Sequence, residues 1–255
     1  MSYVADTKFK SIFISDIHLG TKGCQAKKLV QFLKNHECEK LYLVGDIIDG
    51  WRVTKKWYWP NSHTNVIRHI LKKVKQGTEV YYIAGNHDEV LRPFINFGLE
   101  FGRIKIMDDI VHEGINGKKY YVVHGDYFDG VTRLAKWLVL LGDNAYTFLI
   151  WFNLKFNWIR KRLGMKYWSL SKYLKANAKK AVDFIFHFKN NVTDHARKKG
   201  YDGVICGHIH TPEILDINGI TYMNDGDWVE SCTALVEQYD GTWHILDFDD
   251  INLPD

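Results

Sequence analysis

The stretch Phe9-Lys10-Ser11-Ile12-Phe13-Ile14-Ser15-Asp16-Ile17-His18 sets the pattern for the chain: a β-branched and aromatic run that stops on Asp-x-His. The arrangement recurs further along. Residues 41–44 lead into Gly45-Asp46-Ile47-Ile48-Asp49, 80–83 into Gly85-Asn86-His87-Asp88, 120–123 into His124-Gly125-Asp126, and Gly203–Cys206 into Gly207-His208-Ile209-His210. Short apolar runs bounded by turn residues read as buried strands. Helix-compatible stretches, Ala26–Asn35 and 64–75, separate the first three runs. The expectation is therefore an α/β layered fold with its ligand-type residues at the carboxyl ends of the strands. Asn116-Gly117 and Asn218-Gly219, each between two apolar runs, predict hairpins over 110–123 and 213–223, and so a mixed or antiparallel second half.

Composition sets the outer bounds. At 255 residues and 46% hydrophobic, the chain can bury a full core as one large domain or one domain with an insertion. Its four cysteines (Cys24, Cys38, Cys206, Cys232) form no C-x-x-C pair, and its first ten residues are polar and charged rather than signal-like. A cytoplasmic protein with reduced thiols is expected. The longest apolar region, 134–154, is broken by Lys136, Asp143 and Asn144, which argues against a membrane span.

The polar clusters carry the chemistry. Asp16 and His18 sit two apart, so on a continuing strand both would face one cation. Asn86, His124 and His208 offer donors for a second, Asp46 has two oxygens with which to bridge, and His210 can return to the first. The expected sets are Asp16, His18, Asp46 and His210 for one metal, and Asp46, Asn86, His124 and His208 for the other. This nitrogen and oxygen mixture suits Mn, Fe or Zn better than Ca or Mg. Two such cations activate a bridging water and stabilise in-line displacement at phosphorus, so hydrolysis is the natural reaction. His87 is read as leaving-group acid or phosphate contact, with Asp49 orienting its imidazole. His36, His63, His69, His112, His187 and His195 lie outside any cluster and are read as structural.

D-x-H, G-D-x-x-D, G-N-H-D, H-G-D and G-H-x-H together resemble the signature of the calcineurin-like metallophosphoesterase superfamily. Within it the chain is similar to the UDP-2,3-diacylglucosamine diphosphatase family of lipid A biosynthesis, from about Lys10 to Leu246. The resemblance implies a single domain over 1–255, a mixed-sheet β-sandwich flanked by helices, and a dinuclear centre holding two divalent ions, Mn first and Fe or Zn as alternatives. It also implies cleavage of a lipid-linked nucleotide's pyrophosphate to UMP and a monophosphorylated diacylglucosamine. The segment from Asn224 to Cys232 resembles the one that follows the family's last histidine motif, where it closes the sheet near the metals. Two positions depart from the pattern: His87 and Thr211 stand where family members carry arginine. An imidazole and a hydroxyl cannot reproduce the bidentate grip of guanidinium on pyrophosphate. Another phosphorylated lipid or small nucleotide, cleaved by a phosphodiesterase or phosphatase reaction, is therefore the alternative substrate.

Between His124 and His208 the composition changes. Residues 130–180 carry eleven Lys and Arg against one acid, Asp143, in a chain of net charge +4, so the remainder is net negative. Aromatic and aliphatic residues interleave with these cations. The stretch is read as a helical lid insertion at about 130–195, with Arg133 and Trp137 as candidate substrate contacts, resting on an anionic membrane surface. That places the protein peripherally on the cytoplasmic face of the inner membrane. An ordinary helical cap with solvated lysines is the competing reading. No nucleic-acid motif is present, so no nucleic-acid partner is expected, and nothing specifies an oligomeric state. After the Asp46/Asp49 loop, Gly50 to Pro60 forms a second candidate substrate surface, in which Trp51 and Arg52 are singled out, and Arg92 is a further candidate for phosphate.

Overall fold

The computed structural model describes residues 8–95, 97–98, 100–128, 162 and 170–250. Arg133, Trp137 and most of the expected lid lie outside them. The chain divides into two compact units, 1–126 with 192–255, and 127–191. The described part of the second consists mainly of the first residues of one long helix, Leu170–Lys198 (α5). Among the described residues no helix is long and apolar enough to cross a membrane.

The first unit is built on two sheets. The larger has the order β12-β11-β1-β2-β3-β5-β4 and the smaller β6-β7-β8-β10-β9. The strands are β1 (Lys8–Ile14), β2 (Glu37–Val44), β3 (Glu79–Ile83), β4 (Glu100–Phe101), β5 (Ile104–Met107), β6 (Asp109–Glu113), β7 (Lys119–Val123), β8 (Gly203–Cys206), β9 (Glu213–Ile217), β10 (Ile220–Asn224), β11 (Thr233–Glu237) and β12 (Trp243–Asp247). β1, β2, β3 and β5 run parallel, with β11, β12 and β4 antiparallel at the flanks. In the second sheet β7, β8 and β10 are parallel, flanked by antiparallel β6 and β9.

Alternation along β1 and β2 explains the layers. Ile12, Ile14, Leu41 and Leu43 join the core that lies against the helices, together with Leu29, Phe32, Val66, Ile70 and Trp228. Phe13, Tyr42 and Val44 point the other way and meet Tyr120, Val122, Ile205 and Met223 of the second sheet. The period of two thus buries both faces of one sheet. Phe13 stacks on Tyr42 at 4.4 Å and Tyr42 on Tyr81 at 4.9 Å, one aromatic per strand in register. Phe13 and Tyr42, both fully buried, each contribute roughly 1.5–3 kcal/mol through burial.

Helix α1 (Ala26–Asn35) buries Ala26, Leu29, Phe32 and Leu33, the helical spacing that makes one apolar face. The short α2 (Gly50–Lys55) is capped by the Asp49 carboxylate, which accepts from Arg52 N at 2.8 Å. α3 (Asn61–Lys75) begins three residues before the stretch expected from sequence because Pro60, extended at its N-cap, needs no amide there. A four-residue turn, α4 (Arg92–Ile95), follows the third ligand loop. The Asn116-Gly117 hairpin is looser than expected: β6 ends at Glu113, and the turn closes through Gly114 N to Lys118 O and Gly117 N to Gly114 O. The Asn218-Gly219 hairpin is tight, with positive φ at both residues.

One buried polar link ties the two sheets. Glu237 on β11 accepts from Ser11 Oγ at 3.0 Å, from His112 Nε2 at 2.9 Å and from Ile115 N at 2.9 Å, and His112 Nδ1 accepts from Tyr42 Oη at 3.0 Å. His112 is thus structural, as read from the sequence.

Candidate metal centre

The ends of β1, β2, β3, β7, β8 and β10 deliver every cluster to one place. The loops after β1 and β2 continue side by side: Asp16 N bonds Gly45 O, His18 N bonds Asp46 O and Leu19 N bonds Ile47 O, at 2.9–3.0 Å. His124 on the second sheet reaches back, donating from Nδ1 to Val44 O at 2.9 Å, and Gly207 N bonds His124 O.

Asp16 and His18 do not share a face through strand alternation. β1 stops at Ile14, and Asp16 and His18 both adopt left-handed backbone, φ 48° and 51°. Asp46, His208 and His210 do the same, so five of the seven non-glycine residues with positive φ among the described residues are expected ligands. Such conformations cost of order 1–3 kcal/mol each and persist where surrounding structure enforces them. Crowding supplies part of that enforcement. A Cβ on Gly45 would lie 2.4 Å from the His124 ring, and one on Gly207 would lie 2.2 Å from Ser15 Oγ. Glycine precedes these ligands because another ligand's side chain or support occupies the space.

The donor atoms converge. His210 Nε2 lies 2.9 Å from Asp16 Oδ1, and His18 Nε2 lies 3.6 Å from Asp16 Oδ1 and 3.8 Å from Asp46 Oδ2. His124 Nε2 is 3.5 Å from Asp46 Oδ1, and the His124 and His208 rings stand 5.0 Å apart. Three triads have all their donor atoms within 4.8 Å of one another: Asp16, His18 and His210; Asp16, Asp46 and His124; and His18, Asp49 and His87. Asp49 is shared, 3.1 Å from His87 Nδ1 and 3.5 Å from His18 Nδ1. Sequence reasoning gave it only the first of these partners.

The residues fit divalent cations. Asn86 Oδ1 and His124 Nε2 are buried without a hydrogen-bond partner, and because His124 donates through Nδ1, only Nε2 is left to face inward. Charge points the same way. Burial disfavours the Asp16 carboxylate, yet His210, His124 and His18 outweigh it and hold Asp16 well below the usual range. Asp46 and Asp49 are depressed against the same opposition from burial, Asp46 chiefly by His124 and Asp49 by His18 and His87. Conversely, burial opposes protonation of His18, but bonding to Asp16 and Asp49 pushes it up to about 10. His124 is pushed up to about 10, with Asp46 and Asp16 overcoming burial. A buried nest that draws positive charge onto its imidazoles is a nest that attracts cations.

Further residues support the cage, two of them in the segment from Asn224 to Cys232 that the family resemblance places near the metals. Asp88 accepts from Ile47 N, Ile48 N and Tyr82 Oη at 2.8–3.1 Å, which fixes the Asp46 to Asp49 loop to the end of β3. Burial and neighbouring Asp46 push Asp88 up to about 6. Ser15 Oγ lies 2.7 Å from both Asp16 Oδ2 and Asp225 Oδ1, and burial drives Asp225 well above the usual carboxylate range. Asp227 receives Val229 N and Glu230 N and shapes the turn before β11. Asp225 and Asp227 are signalled by that resemblance, Asp88 only by its place just past a strand end.

The expected substrate contacts divide. The Trp51 ring lies 4.2 Å from the His87 ring, and its Nε1 donates to Glu89 at 2.9 Å. Arg52 is exposed one residue further on. Arg92 donates to Ala84 O and Asp126 and lies 3.3 Å from Asp108, so its charge is engaged by two carboxylates.

A family model described as calcineurin-like phosphoesterase matches residues 9–212. The chain is 25% identical over 264 residues to a UDP-2,3-diacylglucosamine hydrolase of Porphyromonas gingivalis, covering 93% of this chain and 97% of that protein. It is 27% identical over 223 residues to the UDP-2,3-diacylglucosamine hydrolase of Neisseria meningitidis serogroup B, covering 85% and 88%. The protein of that name from Aliivibrio fischeri is 26% identical over 237 residues, covering 88% and 92%.

Proposed function

From a chain that belongs to the calcineurin-like phosphoesterase family and is a metal-dependent hydrolase, we propose a specific reaction: cleavage of the pyrophosphate of UDP-2,3-diacylglucosamine to UMP and 2,3-diacylglucosamine 1-phosphate, a step of lipid A biosynthesis. The observation that carries this reading is the end-to-end similarity to relatives bearing that activity in their names, joined to a cage with donors enough for two cations. Asp16, His18, Asp46 and His210 would hold one ion, and Asp46, Asn86, His124 and His208 the other, with Mn first and Fe or Zn as alternatives. Bound there, the pair supplies an acidified water and positive charge for the phosphoryl oxygens.

The rest falls to the chain's own side chains. His87 Nδ1 lies 3.1 Å from Asp49 Oδ1 and Nε2 lies 3.8 Å from Asp46 Oδ2, and Nε2 is assigned to the leaving oxygen or a phosphate. Trp51 covers one side of that imidazole and Arg52 follows it. The lid at about 130–195, with Arg133 and Trp137, is assigned to the acyl chains and to peripheral association with an anionic membrane surface on the cytoplasmic side, within a single domain.

A second reading rests on the family resemblance: His87 and Thr211 stand where the diphosphatase family that the motifs resemble carries arginine. It is a phosphodiesterase or phosphatase acting on another phosphorylated lipid or a small nucleotide. Incubating the Mn-loaded protein with the acylated UDP-sugar, its deacylated form and a short soluble phosphodiester separates the two. UMP release from the acylated compound alone supports the first reading, and comparable turnover of the short ester supports the second.

A further inference from the structure

Ser15, Asp16 and Asp225 are all fully buried, and Ser15 Oγ stands between the two carboxyl groups, 2.7 Å from Asp16 Oδ2 and 2.7 Å from Asp225 Oδ1. Each oxygen-to-oxygen contact of that length needs a proton, and a serine hydroxyl brings one. A second proton must therefore sit on one of the two acids, and the neighbouring donors distinguish them. Asp16 Oδ2 also accepts from His208 N at 2.8 Å, and Asp16 Oδ1 faces His210 Nε2 at 2.9 Å, the setting of an anion. Asp225 Oδ2, by contrast, is buried with no hydrogen-bond partner among the described residues. A charge left there would be uncompensated. Burial, and after it the charge of Asp16, push Asp225 well above the usual carboxylate range.

The three groups are held on a fixed frame. Asp225 N donates to Cys206 O at 3.1 Å, Thr233 Oγ1 to Asp225 O at 2.8 Å and Asn224 Nδ2 to Gly207 O at 2.6 Å, so the end of β10 is pinned to the end of β8 and the start of β11. We propose that Asp225 is a neutral carboxylic acid whose proton goes to Ser15 Oγ and so aims the Ser15 hydroxyl at Asp16, which makes Asp225 and Ser15 positioning residues for the metal ion assigned to Asp16. With Ser15 and His208 N both bonded to Oδ2, the other oxygen, Oδ1, is left for the cation beside His210 and His18. An ionised Asp225 would compete with Asp16 for the single hydroxyl proton and leave the ligand free to turn. The positioning role rests on the reading of Asp16 as a metal ligand, and the proton on Asp225 does not.

Two measurements on the full chain test this. In the infrared difference spectrum of metal-free wild type minus the isosteric Asp225→Asn variant, the C=O stretch of a protonated carboxyl should stand out at neutral pH and shift in D₂O. Calorimetric titration with Mn²⁺ should give Asp225→Asn the wild-type affinity, because its amide donates to Ser15 in the acid's place. Ser15→Ala and Asp225→Ala should each weaken binding roughly 10–100-fold, the range for partners that orient a metal ligand. The double alanine variant should lose no more than either single one, since both break one chain of hydrogen bonds. A missing infrared band, an Asp225→Asn protein that binds as weakly as Asp225→Ala, or alanine variants with wild-type affinity would each overturn the proposal. A wild type that shows the band but takes up no Mn²⁺ would sink the reading of the cage, and the positioning role with it, and leave the neutral acid standing.

Discussion

Loading the cage with metal should expel protons in a countable number. His18 and His124 are each pushed up to about 10 from an ordinary 6.5, so near pH 8 both carry a proton in the metal-free chain. A histidine ligates only as neutral imidazole. Each must therefore release its proton when a cation arrives, two in all, while Asp16, Asp46 and Asp49 are already ionised. Apparent metal affinity should then climb roughly a hundredfold per pH unit until the histidines' own folded values are reached. The stability of the metal-free chain runs the opposite way. With folded values above unfolded ones, the contribution of these two groups is complete below about 6.5 and drains away as pH rises through about 10. Titration calorimetry of Mn²⁺ into chelator-stripped protein near pH 8, in buffers of different ionisation enthalpy, counts the protons directly. A release of about two from the histidines, with about one more from the acidified water, supports the electrostatic argument. No release, or an affinity equal at pH 7 and 8, would refute it.

Other consequences follow from single contacts. His87→Ala should keep its metal and lose roughly 10²–10⁴ in turnover, the usual range for an acid–base group; loss of bound metal would make His87 a ligand instead. Gly207→Ala places a Cβ 2.2 Å from Ser15 Oγ and 2.6 Å from Asp16 Oδ2, so metal content should fall, with a stability cost of about 1–3 kcal/mol by thermal unfolding. Glu237→Leu orphans Ser11, His112 and Ile115 together and should cost about 3–5 kcal/mol in urea unfolding. Since Glu237 is depressed, by His112 and Ile115 against the opposition of burial, the wild-type advantage should hold above the ordinary carboxylate range and fade as pH falls through its lowered folded value.

The site was more legible than the scaffold around it, for a physical reason. A ligand cluster after an apolar run is local information, and β1, β2, β3, β7 and β8 all end where their clusters begin. α1 was legible to the residue because its apolar spacing matches one buried face. The partition into two sheets and the antiparallel flanks β11 and β12 came only from the resemblance or from the structure, since strand order depends on pairings between distant segments. The same limit hid the supports. Ser15 and Asp225 meet across 210 positions, and Asp88 bonds a loop 40 residues away. The geometry at Asp16 and His18 was misjudged because alternation applies to extended chain, and both residues turn into the left-handed region once β1 ends.

Elemental analysis of Mn-reconstituted protein, beside an Asp46→Ala variant, tests the cage most directly. Two equivalents of manganese per chain in the wild type, falling below one with loss of activity in the variant, are what a shared carboxylate between two cations requires. A single equivalent in the wild type, or an Asp46→Ala protein that keeps both its metal and its turnover, would contradict it.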